Sequence, residues 1–260
     1  MLHRLSRWIN DRREAAALLR RPIPDDLWKR TLVRYPFLKL EGVAGAPALR
    51  RMTSLFLDRK EFTAVPPVRL TNDVVVAVAA QACLPVLQLG LERYDDFVGI
   101  VLQPDQVVAR RRQLDEHGVE HEYEELLSGE ALEGGPVMLS WRDVRGSGRS
   151  AAEGYNVVIH EFAHVLDMAD GLADGVPPLP RDISREEWVG TLMTDYNNFV
   201  ARVDAGDDTS LDPYGAEAPE EFFAVASEAF FVHPTLLRDE HATLYALLAR
   251  FYRCDPAASR

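Results

Sequence analysis

Apolar positions recur at the three-to-four-residue period of amphipathic helices through most of the chain, and the exceptions cluster in its middle. Short helices are predicted over 13–20, over 25–33 after Pro24, and over 48–57 after Pro47. Thr71 stands where it can cap a helix over 73–83 that stops near Pro85. Strand-like segments follow at 97–102 and 106–109, then a charged stretch to Gly135 and a short apolar strand over 136–141. The strongest helix pattern runs from Gly154 to Asp170, bounded by Gly154 and Gly171. A second long helix is expected over 184–203. An Asp, Gly and Pro-rich loop then leads to Pro219, a helix over 220–232, a stop at Pro234 and a last helix over 236–252. The fold class is therefore α+β, predominantly helical, with a small sheet beside the 154–170 helix. Residues 1–260 read as one domain, with 1–70 a helical N-terminal subdomain packed on the rest.

The longest apolar run, 74–91, approaches the length of a membrane span, but Gln81, Pro85, Gln88 and Gly90 interrupt it, so a buried helix and a break are expected. The first 21 residues are arginine-rich and lack the apolar segment of a secretory signal, which points to a cytoplasmic protein with no membrane partner. Cys83 and Cys254, the 2 cysteines, are too few and too far apart for a disulfide framework or a metal knuckle. A net charge of -12 argues against direct nucleic-acid binding, which needs a basic footprint. The charge is uneven, because residues 1–51 carry 12 Lys+Arg against 5 Asp+Glu. That basic segment is a solvated face or a docking surface.

The chemistry lies in His160-Glu161-Phe162-Ala163-His164. Residues four apart share a helix face, so His160 and His164 can offer ring nitrogens to one tetrahedral Zn2+. Glu161 is turned about 100° away and suits a general base acting on a water at the metal, the arrangement that peptide hydrolysis requires. Three polar side chains in an otherwise apolar helix would be costly to bury without such a partner. Among third ligands, Asp170 is weakened because Asp167 occupies the place where a turn glycine is needed. Glu221 and Glu228, seven apart, share one face of a later helix, and spacing alone does not choose between them. Asp167 lies on the histidine face and could hold an imidazole from behind; Glu228 and Ser227 could do the same.

The segments at 160–167 (HEFAHVLD), 219–231 (PEEFFAVASEAFF), 83–92 (CLPVLQLGLE) and 135–141 (GPVMLSW) together resemble the MtfA family of bacterial zinc peptidases. The resemblance runs in order from near Phe56 almost to the C-terminus, and the metal helix is also similar to that of the anthrax lethal factor catalytic domain. It implies a zincin-like fold of the gluzincin kind and a third ligand at Glu221. It further implies Tyr214 as the hydrogen-bond donor to the oxyanion, and aminopeptidase-type activity on a peptide substrate. It also implies a second role, binding a transcriptional repressor of sugar phosphotransferase genes.

Two segments carry rival expectations. His117-Gly118-Val119-Glu120-His121 matches an inverted zinc motif, but its acidic surroundings and Gly118 favour an exposed hairpin or loop. The 136–141 strand is either the sheet edge that pairs with an extended substrate or an interior strand.

Overall fold

The structure, a computed structural model, describes residues 12–39, 45–114 and 120–258. Helices α1 (12–20), α2 (Asp25–Arg34) and α3 (Gly45–Arg59) lead into strand β1 (Glu61–Ala64). Thr71 accepts a hydrogen bond from the Val74 amide and so caps α4 (Asn72–Cys83), as its position predicts. The run that approached membrane length is this helix and its break: α4 is buried on nearly every face, and no described helix is long and apolar enough to cross a membrane.

Strand β2 (Gly99–Gln103) lies in the predicted place. The charged stretch after it is more ordered than its composition suggests. β3 (Val107–Leu114) and β4 (Glu120–Leu127) form an antiparallel ladder, so cross-strand pairing overrides a weak hydrophobic pattern. Residues 117–119 of the inverted motif lie outside the described residues, while Glu120 and His121 stand on β4 opposite Leu114 and Gln113, in a strand and not on a helix. β5 (Gly129–Ala131) and β6 (Val137–Ser140) complete a sheet of order β1-β2-β6-β5, parallel except for the antiparallel β5. The 136–141 segment is thus interior, and the edge next to the metal helix is β5. The chain returns to pair the short β5 with β6, a reversal that hydropathy does not register.

Helix α5 (Trp141–Ser150) is amphipathic but mostly polar, with Trp141 and Val144 its only large apolar residues and Gly146 and Gly148 lowering its helix propensity, and the sequence pattern did not predict it. Gly148 is needed there, since a Cβ would lie 2.0 Å from the Arg34 carbonyl oxygen at the crossing with α2. Gly154 (φ 83) and Gly171 (φ 90) are left-handed and bracket α6 (Val157–Asp167) with its short 3₁₀ extension. Next come α7 (Arg185–Asp204), a 3₁₀ turn at Pro213–Ala216, and α8 (Pro219–Val232), which carries Pro at its first position. The single helix expected over 236–252 is two, α9 (Pro234–Glu240) and α10 (Ala242–Tyr252). They break at His241, whose ring is tied to Asp195 at 3.0 Å while its backbone leaves the helical region.

Core packing fixes the orientation of α6. Phe162 sits among Phe56, Tyr94 and Phe97 with ring centroids 5.8, 5.0 and 5.8 Å away. On α8, Phe222, Phe223 and Phe230 pack against Phe199, Trp188 and Tyr252. Aromatic contacts of this kind, edge-to-face, tilted and stacked, add to the area each ring buries. With both helices anchored by aromatic residues, their polar side chains are held facing one another. The α+β class, predominantly helical with a small sheet at the metal helix, is the class expected from the sequence.

Candidate metal centre

The polar face of α6 begins at Asn156, whose side chain accepts from the Ile159 amide at 3.0 Å and caps the helix. One turn later His160 and His164 point the same way, their Nε2 atoms 3.1 Å apart. From α8, Glu221 Oε2 approaches His160 Nε2 at 3.1 Å and His164 Nε2 at 3.3 Å. The three ligand atoms lie within 4.8 Å of one another, and this is the only such group among the described residues.

Glu228 resolves the ambiguity that spacing left. It stands two turns beyond Glu221 on α8, and its Oε1 meets His160 Nδ1 at 2.7 Å, on the far side of the ring. Its Oε2 accepts from the Asn156 amide. With Nδ1–H donated to Glu228, the lone pair of Nε2 points at His164 and Glu221. The two glutamates therefore hold opposite edges of one imidazole.

Glu161, also buried, is not among the converging ligand atoms. Desolvation raises its carboxyl to about 7 against the pull of the two histidines. Burial pushes Glu221 upward as well, but its hydrogen bonds to His160 and His164 outweigh this and bring it down to about 2. Glu228 is raised, chiefly by burial. Two buried carboxylates and the half-buried Glu221 thus gather about two imidazoles whose lone pairs converge, an assembly that a divalent cation would neutralise and that would otherwise be costly. The donor set, two nitrogens and one oxygen with a position left open, fits a catalytic metal.

Tyr214, in the 3₁₀ turn, has its ring centroid 6.0 Å from that of His160. Gly215 beside it packs against Val225 and Phe222 of α8, which holds the turn next to the ligand helix. A cleft of about 620 Å³ opens here, lined by His160, Glu161, Tyr214 and the start of β5.

Asp167 does not hold a histidine. Its Oδ2 accepts from the Gly175 amide at 2.9 Å, and its buried Oδ1 has no hydrogen-bond partner. The side chain instead ties down the loop after α6 through this amide. Ser227 likewise serves its own surroundings, donating to the Phe223 carbonyl and accepting from Tyr252. Asp170 is exposed and caps Leu172, so it is not a ligand. Sequence reasoning passed over the support behind the site. Gln81 Oε1 accepts from Asn156 Nδ2 at 2.9 Å and from Ser147 Oγ at 2.8 Å. Asn156 was visible as a polar residue before an apolar helix; Gln81 read only as an interruption in an apolar run.

Burial raises Asp167 from 3.8 to about 7. The folded state therefore binds its proton more tightly than the unfolded chain. The stability this adds is complete below the unfolded pKa and is lost as pH rises through the folded one. In metal-free protein, the melting temperature of Asp167→Asn relative to wild type should rise from about pH 4 to about pH 7 and then level off. Melting curves across that range check this; a constant difference would contradict it.

A helix bearing His-Glu-x-x-His, facing a glutamate on a second helix and flanked by a sheet with one antiparallel edge strand, is the arrangement of a metallopeptidase. Comparison with known proteins gives the same class. The family described as glucose-regulated metallo-peptidase M90 matches residues 7–253, and the chain belongs to it. It is 38% identical over 206 residues to the Mlc titration factor A of Serratia proteamaculans, covering 78% of this chain and 77% of that protein. The Mlc titration factor A of Klebsiella pneumoniae is 36% identical over 216 residues, 82% of this chain and 80% of its own length. An uncharacterized protein of Synechocystis is 33% identical over 241 residues, 92% of this chain and 87% of its own.

Proposed function

We propose that this metallopeptidase is a zinc-dependent aminopeptidase working as one cytoplasmic domain, with the helices before residue 70 packed on the catalytic part. The observation that carries the reading is the convergence of His160, His164 and Glu221 beside a cleft that His160 and Glu161 line, Glu161 not being a ligand. Zn2+ at these three atoms would supply Lewis acidity, polarising the scissile carbonyl and making the attacking water more acidic. Glu161 takes the proton from that water and delivers it to the leaving amine. Tyr214 donates its hydroxyl to the developing oxyanion. Glu228 holds His160 in the tautomer and orientation that metal binding needs.

An extended peptide would lie along β5, the last strand in the order of the described sheet, so backbone hydrogen bonds provide affinity with little regard for side chains. The described residues lining the cleft include Asp143, Glu153 and Asp212 and no Lys or Arg. Such a wall suits the free amine that an aminopeptidase must recognise.

The test is metal analysis of the purified protein combined with cleavage of a panel of amino-acid anilides. Zinc near one per chain and cleavage that stops with a chelator and returns with zinc are expected; cleavage indifferent to chelation would end the proposal. A second reading is favoured by the relatives named for titrating Mlc. In it the chain also binds a repressor protein, and its affinity for Mlc, measured by titration calorimetry, would survive loss of the base.

A further inference from the structure

Gly129 opens β5, paired with Leu139 of β6. It is not among the described glycines of positive φ, so its backbone conformation does not call for glycine. A glycine in a strand weakens it and tends to mark a close approach. A Cβ built at 129 would lie 2.4 Å from Glu161 Oε1, 2.5 Å from its Cγ and 2.6 Å from its Cδ, and these are its three nearest atoms. The space left by the missing side chain is filled by the one carboxylate that the site uses as a base.

We infer that Gly129 is a positioning residue for Glu161: the bare backbone of β5 lets the carboxylate lie against the edge strand, beside the place where a peptide's scissile bond would be held. This rests on the reading of Glu161 as the base. A methyl group at 129 has no quarrel with the sheet ladder, since β5 continues normally through Glu130 and Ala131. It meets the Glu161 side chain from Cγ outward and none of the three metal ligands is among its nearest atoms, so the ligands stay and the base moves.

Gly129→Ala should therefore keep its zinc and its KM while kcat falls about 10–100-fold, the cost of misplacing a reacting group by about 1 Å. A melting cycle reads the same contact without activity. The fall in melting temperature caused by Gly129→Ala should disappear in a Glu161→Ala background. Wild-type kcat in Gly129→Ala, or equal melting penalties in both backgrounds, would overturn the inference. If wild-type protein hydrolyses no peptide, the base assignment fails while the melting cycle still decides whether Gly129 makes room for Glu161.

Discussion

Glu161→Gln is expected to bind zinc as the wild type does and to lose hydrolysis by about 10²–10⁴-fold, the range a positioned general base contributes. The carboxamide has the shape of the carboxylate and fits beside Gly129, but it has no lone pair basic enough to accept a proton from water. Metal binding persists because Glu161 is not one of the three converging ligands. Stability should be unchanged or slightly higher, because burial already pushes the Glu161 carboxyl to about 7 and a neutral group avoids that desolvation cost. Zinc content, a melting curve and kcat on a cleavable anilide are the three measurements. Undiminished cleavage would remove Glu161 from the chemistry. The same variant separates the two proposed activities, since binding of Mlc has no use for a base.

How far the sequence discloses this site follows from how local each contact is. His160, Glu161 and His164 lie within one turn and a half of one helix, so their shared geometry is written in their spacing. Glu221 and Glu228 were visible as a pair on one face, but their division of labour was not. Which of them meets Nε2 and which Nδ1 depends on how α8 crosses α6, set by Phe222, Phe223 and Phe230 against α7 and α10. Asp167 illustrates the converse. Its spacing pointed to a histidine, but the loop after α6 returns Gly175 to its carboxylate, a tertiary contact that no period encodes. The edge strand was hidden for a related reason: β5 is three residues long and becomes a strand by pairing with β6. Where aromatic cores and caps dominate, as in α4, α6 and α8, the elements are legible; where pairing or a close backbone approach decides, as in β4, β5 and α5, they are not, and of β3 only its start, within the strand expected over 106–109, was.

Glu228→Gln makes the same chemical change as Glu161→Gln and should produce the opposite result. Two donors converge on Glu228, the His160 Nδ1–H and the Asn156 amide, one at each oxygen. A carboxamide has one oxygen, so whichever way it is turned its NH₂ group faces a donor. The side chain is fully buried, so water cannot supply the missing acceptor. If the amide opposes His160, the ring loses the partner that directs Nε2 toward the metal, and zinc affinity should fall about 10–100-fold. If it opposes Asn156, the first turn of α6 loses its anchor, and an unpaired buried donor costs roughly 1–3 kcal/mol of stability. The Gln81–Asn156–Ser147 network keeps Asn156 from moving to relieve the conflict, because its side chain is already committed to Gln81 and to the Ile159 amide. Chelator competition and denaturant unfolding on the metal-free protein measure the two losses separately. Glu228→Gln with wild-type zinc affinity and wild-type stability would mean that the buried carboxylate behind His160 does not hold the ring, and that the metal site is positioned without it.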